Sequence, residues 1–247
     1  MQVDYIVIGI GIAGISFCEQ LKENNKTFVV FDNASQQSST VAGGLYNPVV
    51  LKRFTSVWKS KEQLDIALPL YAKIEKELSV KLDYKIPVYR KFASLEEQND
   101  WFAASDKPLL SRYLSPKIIK NDNNASIDAP FGFGEVLETG RIDVKTMIEA
   151  YKSYLLKSEL LFQAAFNYDA LQIGTETIHY KRITATNIIF AEGYGIKQNP
   201  YFKKLPLVPA KGELLVIHAP DLNINYVLKA GVFLIPLGKD LYIVGAT

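Results

Sequence analysis

The sequence predicts an α/β fold in which a parallel-sheet domain is interrupted by an inserted domain with a mixed or antiparallel sheet. Three observations predict it. Asp4-Tyr5-Ile6-Val7-Ile8, Gly9-Ile10-Gly11-Ile12-Ala13-Gly14, a helix-like run to Asn25 and Thr27–Asp32 read as strand, glycine turn, helix, strand and acid. Late in the chain a second apolar strand, Ile188-Ile189-Phe190, ends on Ala191-Glu192-Gly193. Between the two, residues 81–140 alternate in a strand-like way and carry turn signals, without a regular strand–helix repeat. The boundaries read from this pattern are 1–80 and 141–204 for the first domain, and 81–140 and 205–247 for the second.

The opening unit is Rossmann-like. Tyr5 to Ile8 is a continuous apolar run, as expected of a strand buried on both faces of a parallel sheet. In the Gly-x-Gly-x-x-Gly turn, Gly9 permits the tight turn, Gly11 lets a pyrophosphate approach the backbone, and Gly14 lets the helix pack on the strand. The free N–H groups at that helix start, at Ile12 and Ala13, favour an anion. Ile15, Cys18 and Leu21 recur at spacings of three and give the helix its apolar face. Asp32 ends the second strand 18 residues after Gly14. That is close to the roughly 20-residue offset of an acid that binds an adenosine ribose. Asp4, and the absence of Lys or Arg before Lys22, argue against a signal peptide.

Composition narrows the function classes. The 247 residues are 48% hydrophobic and 22% charged, which allows one large core or two modest ones. A net charge of +2 supplies no field for nucleic acid, and none is expected as a partner. No apolar run approaches the ~20 residues of a membrane helix. One cysteine excludes an intrachain disulfide and fits a reducing, cytoplasmic compartment. His179 and His218 lack neighbours at ligand spacing, so no metal site is expected.

After Asp32 and Asn33 the chain reads as a long polar loop of small residues, to Pro48 and Val49. Lys52 and Arg53 follow; the planar fork of Arg53 suits a carboxylate. Leu64, Ala67, Leu68, Tyr71, Ile74 and Leu78 predict an amphipathic helix over 61–80. Leu82 to Ala93 predicts a strand, and Ser94 a capped helix start. Asn121-Asp122-Asn123-Asn124 predicts a surface turn. Asp143 is placed to cap a helix from Val144 to about Lys157, faced by Met147, Ile148, Tyr151, Leu155 and Leu156. Tyr168–Ile173 and Thr177–Ile183 predict a hairpin across Gly174. Strands are expected at Lys211–Ile217, Val232–Pro236 and Leu241–Gly245.

The dinucleotide turn, the acid, and the loop Ser38-Ser39-Thr40-Val41-Ala42-Gly43-Gly44-Leu45-Tyr46-Asn47-Pro48 resemble the FAD-dependent oxidoreductases of the D-amino-acid oxidase type, the glycine/sarcosine oxidase-like proteins. Ala191-Glu192-Gly193 is similar to the family's second strand end, although Glu192 stands where a small residue or Thr is usual. The Val244-Gly245-Ala246-Thr247 close resembles a substrate-domain strand. This resemblance implies FAD as cofactor, with Asp32 and Asn33 near the ribose and Ser38, Ser39 and Thr40 along the pyrophosphate. It implies Gly43, Gly44 and Leu45 beside the flavin ring, a backbone contact near Phe166 to the adenine, and Ala191 and Gly193 close to the dinucleotide. Arg53 and Tyr46 become the expected active-site residues.

The implied activity is oxidation of the C–N bond of an amine or amino acid by hydride transfer to flavin. Family members typically continue beyond the point matched by Thr247, into a segment that completes the substrate domain and covers the flavin. The resemblance therefore implies an incomplete substrate domain with an open sheet edge, covered by a missing segment or a partner. Alternatives are a non-catalytic nucleotide-binding subunit, a tRNA wobble-uridine-modifying oxidase and an NAD-dependent dehydrogenase. The last would more often continue strand–helix–strand directly after Asp32.

Overall fold

The computed structural model describes residues 1–122 and 124–245. Asn123, in the predicted surface turn, and Ala246-Thr247, in the predicted closing strand, lie outside the described residues. The chain forms two compact units. Unit 1 comprises Met1–Ala42, Ile74–Val80 and Val144–Ala210, and unit 2 comprises Gly43–Lys73, Lys81–Asp143 and Lys211–Thr247. Residues 43–73, read from the sequence with the first domain, thus cluster with unit 2. The amphipathic helix Ser60–Leu78 contributes residues to both.

Unit 1 is built on strand β1 (Gln2–Ile8), helix α1 (Ile12–Glu23) and strand β2 (Phe28–Phe31). Its six-stranded sheet runs Leu161–Phe162, β2, β1, Ile183–Phe190, Ile178–Tyr180, Leu171–Ile173. The first four strands are mutually parallel and the last two form an antiparallel hairpin. The register pairs Ile8 with Phe31 and with Phe190, and Phe31 with Phe162. All four parallel strands therefore end at one level, where Gly9, Asp32, Gln163 and Ala191 leave the sheet. Because β1 lies between β2 and Ile183–Phe190, this level is the switch point at which ligands bind open α/β sheets.

The core follows the sequence pattern. Ile6, Val7, Val29 and Val30 are fully buried, and Ile15, Cys18 and Leu21 point the apolar face of α1 inward. Burial pushes the Cys18 thiol up to about 12, with the neighbouring Glu19 adding to the effect, so Cys18 is an inert core residue. Glu19 is also fully buried. The Tyr151 hydroxyl on the helix Val144–Lys157 donates to its Oε1 at 2.7 Å, and Lys22 pairs with it at 2.7 Å. This network ties α1 to that later helix.

Unit 2 carries a seven-stranded mixed sheet in the order Leu214–His218, Leu241–Gly245, Phe233–Gly238, Val227–Lys229, Val88–Lys91, Phe133–Val136, Leu114–Ile119. All its pairs are antiparallel except Val227–Lys229 with Val88–Lys91. The strand expected over Leu82–Ala93 is broken into Asp83–Tyr84 and Val88–Lys91. Pro87, which has no N–H to donate, lies in the gap. The helix Leu95–Ser105 starts as expected. Ser94 accepts from Glu97 N at 3.2 Å, and the Glu97 carboxylate accepts from Ala93 N at 2.7 Å. Trp101 on that helix is fully buried at the centre of the unit 2 core. The edge strand Leu214–His218 is exposed along its length, with Leu215 at 66% and Val216 at 61%. Among the described residues, no helix is long and apolar enough to cross a membrane.

Candidate functional site

A cavity of about 520 Å³ opens in unit 1 where the parallel strands end. That size lies in the usual range for a small-molecule site. Its wall brings together residues from five stretches: 8–13, 31–40, 148–152, 164–168 and 190–198, with Leu207 beside them.

The glycine turn is rigidly specified. Gly9 has φ +95° and donates its N–H to Phe31 O at 2.8 Å. A Cβ there would lie 2.4 Å from Ala191 O, so only glycine fits. A Cβ on Gly14 would lie 2.1 Å from Gly9 O. Gly14 is buried in the helix–strand packing and does not line the cavity. Gly11 is the N-cap of α1, in extended conformation, and has no side chain of its own to cap the first turn. Among the described residues, the Ser39 hydroxyl is the side chain that reaches this turn, its Oγ accepting from Ile12 N at a long 3.4 Å. The first turn carries no acidic residue. The N–H groups at Gly11, Ile12 and Ala13 thus face the cavity with the positive end of a 12-residue helix, equivalent to about half a unit charge.

Asp32 and Asn33 line the same cavity, as do Ser38, Ser39, Thr40, Phe166, Ala191 and Gly193. Asp32 Oδ2 accepts from Ala34 N at 3.2 Å and pairs with Lys152 Nζ at 2.7 Å. The long loop expected after Asp32 is not continuous. Ser38–Val41 forms one helical turn, and Leu45–Tyr46 pairs with Gly140–Ile142.

Glu192, the residue out of pattern at the second strand end, is buried, and protein donors engage its carboxyl group. The Tyr168 hydroxyl donates to one oxygen and Asn199 Nδ2 donates to the other at 2.7 Å. Burial first, and the bond to Glu192 second, push the Tyr168 hydroxyl well above the usual phenol range, so it stays protonated and donates. These contacts explain how an acid is accommodated at the cavity wall.

Gly43, Gly44, Leu45, Tyr46 and Arg53 belong to unit 2 and are not among the cavity's lining residues. Gly44 has φ +71°, and a Cβ on it would lie 2.0 Å from Ile142 O. Sheet pairing within unit 2 therefore already requires this glycine. Gly43 O accepts from Arg141 Nε at 3.1 Å. Leu45 packs against the unit 2 core. The Tyr46 hydroxyl donates to Asp83 Oδ1 at 2.9 Å and accepts from Lys85 Nζ at 2.8 Å. Burial is the main cause that raises its pKa. Arg53 is exposed in the turn after Val50.

Sequence reasoning missed Lys152, Tyr168 and the residues of the turn 194–198. Lys152 had a readable signal. It lies one helical turn after Ile148, a residue of the inward face, so it projects from the flank of that face. Nothing local marks Tyr168, whose partner is 24 residues away. Among the described residues, no group of three or more His, Cys, Asp and Glu is placed to hold a metal.

The same fold occurs in solved enzymes. Glycine oxidase from Geobacillus kaustophilus matches with a TM-score of 0.72 at 14% identity, over 100% of this chain and 71% of that one. L-amino acid deaminase from Proteus vulgaris matches with a TM-score of 0.65 at 16% identity, over 99% of this chain and 61% of that one. L-alpha-glycerophosphate oxidase from Mycoplasma pneumoniae, solved with FAD bound, matches with a TM-score of 0.68 at 12% identity, over 100% of this chain and 71% of that one. The chain thus spans about 60–70% of the length of these enzymes. At the sequence level, the family model of FAD dependent oxidoreductases (DAO) matches residues 4–247. With the glycine turn, the acid and the second strand end gathered at one switch point, the chain belongs to the DAO family of FAD dependent oxidoreductases.

Proposed function

We propose that this chain binds FAD, with the adenosine diphosphate half in the unit 1 cavity, and takes part in oxidising the C–N bond of a small amine or amino acid. The observation that carries this is the start of α1, whose N-cap Gly11 brings no capping side chain and which opens on the cavity that Asp32 also lines. The residues present fit the group. Gly11 places no side chain at the helix start, and nothing lies within 4 Å of a Cβ built on Gly193. A helix N-terminus without acidic residues is the donor set a pyrophosphate requires.

In this reading the N–H groups at Gly11, Ile12 and Ala13 hold the pyrophosphate, with the hydroxyls of Ser38, Ser39 and Thr40 beside it. Asp32 accepts from the ribose, and Asn33 borders it. The stretch 164–166 borders the adenine, and Ala191 and Gly193 leave room along the strand end. Unit 1 is then the FAD-binding domain and unit 2 the substrate domain. Gly43, Gly44 and Leu45 are assigned to the flavin ring. Exposed Arg53 is assigned to a substrate carboxylate, and Tyr46 to the substrate side. When bound, FAD supplies the hydride acceptor. The likeness to a glycine oxidase and an amino acid deaminase supports the amine and amino-acid class.

The chain should retain a flavin spectrum after incubation with FAD and gel filtration. Anaerobic mixing with a panel of small amines and amino acids should then bleach it. Flavin that is retained, and bleached by dithionite but by no member of the panel, would remove the activity and leave the binding. No retained flavin would remove both.

A further inference from the structure

Lys152 is set apart from the other cations of its helix. Its side chain is 25% exposed, against 65% for Lys145, and it ends on Asp32 at 2.7 Å. The Asp32 side chain is only 14% exposed. Lys152 and Ala34 N both use Oδ2, and Oδ1 carries no hydrogen bond among the described residues. Asp32 and Lys152 both line the cavity, 120 residues apart in sequence. Nearby, the N-terminus of α1 is the other positive feature of the wall. Glu192, a second acid of the wall, already accepts from Tyr168 and Asn199. Asp32 is therefore held from one side by a fixed ion pair, with one oxygen left over.

We propose that Lys152 is a positioning residue for ribose recognition: it pins the Asp32 carboxylate through Oδ2 and so presents Oδ1 to a hydroxyl of the bound adenosine ribose. This rests on the nucleotide reading above and adds to it a residue that the glycine motif does not contain. A carboxylate without this partner has the freedom of its own χ rotamers and the pull of bulk water, both of which oppose a directed bond. A hydrogen bond to a charged group accounts for roughly ten- to a hundredfold in affinity, and losing the orientation forfeits part of that.

The test is calorimetric titration of the full chain with ADP and with 2′,3′-dideoxy-ADP. The chains compared are wild type, Asp32→Asn, Lys152→Met, Lys152→Arg and the double variant Asp32→Asn/Lys152→Met. Thermal melts without ligand confirm that each is folded. Wild type should prefer ADP by roughly tenfold or more. Lys152→Met should lose most of that preference and Lys152→Arg should keep it. In the Asp32→Asn background, Lys152→Met should change the preference no further. A Lys152→Met chain with wild-type preference would overturn the proposal. So would a Lys152→Met chain that binds both nucleotides more weakly by one factor, additively with Asp32→Asn, because Lys152 would then act on the phosphates. Wild-type chain that binds neither ADP nor FAD would remove the nucleotide reading itself, and this inference with it.

Discussion

Gly14→Ala should lower the stability of unit 1 by at least ~3 kcal/mol, because the added methyl has nowhere to go. Its Cβ would stand 2.1 Å from Gly9 O and 3.1 Å from Gly9 C. Both are backbone atoms of a turn that Gly9 already fixes through its bonded N–H and positive φ. The helix must therefore lift from the strand, and the buried contacts of Ile15, Cys18 and Leu21 loosen with it. A fall in Tm of about 6–12 °C is expected by thermal melting. Gly193→Ala is the matched control. Its φ is +54°, but nothing lies within 4 Å of the added Cβ, so only the left-handed backbone costs about 1–2 kcal/mol. A Gly14→Ala chain that melts with the wild type would show that the helix–strand contact described here is wrong.

Trp101→Ala should cost unit 2 about 4–5 kcal/mol. The indole is fully buried and meets Phe54 edge-on at 5.4 Å and Phe92 at 5.6 Å between ring centroids. Its N–H donates to Ser115 O at 2.8 Å, so truncation also leaves a buried carbonyl without its donor. The neighbouring strand is cut to receive it: a Cβ on Gly134 would lie 2.5 Å from Trp101 Cε2. Trp101→Phe keeps part of the ring packing and loses the hydrogen bond, and should cost about half as much. Urea unfolding followed by circular dichroism distinguishes these. A loss below ~1 kcal/mol for the alanine variant would contradict the placement of Trp101 at the centre of this core.

The parts of the fold legible in the sequence are those with a local physical cause. Gly9 and Gly14 are readable because tight turns and close helix packing admit no other residue. β1 and β2 are readable because strands buried on both faces must be continuously apolar. The helix start at Ser94 is readable because its cap and Glu97 lie within one turn. What the sequence hides depends on distant partners. The loop from Asn33 to Pro48 reads as one polar stretch, but Gly44–Tyr46 is drawn into a sheet by residues 140–142, almost a hundred positions away. Gly44 stood out only through the resemblance, as a residue beside the flavin ring; the need for glycine there comes from the close approach of Ile142 O, which the sequence does not show. The place of Lys152 on the flank of its helix's inward face is readable, but its partner Asp32, 120 residues away, follows only from the fold. Glu192 was visible as a departure from pattern, but the donors that accommodate it, Tyr168 and Asn199, follow only from the packed structure.

If the start of α1 is the phosphate cradle, one methyl there should block FAD without unfolding the chain. Gly11 has φ −76° and ψ −170°, which any residue adopts, and a Cβ on it meets only Ser39 Oγ at 3.0 Å, a small side chain that can rotate away. The methyl then projects at the surface a pyrophosphate must approach. Fluorescence titration of FAD into wild type and Gly11→Ala, with circular dichroism to confirm matched folds, is the most direct measurement. Wild type should bind, ADP should compete, and Gly11→Ala should bind roughly ten- to a hundredfold more weakly. Equal affinity in the two folded chains, or FAD binding that ADP does not displace, would contradict the assignment of this helix start to the cofactor.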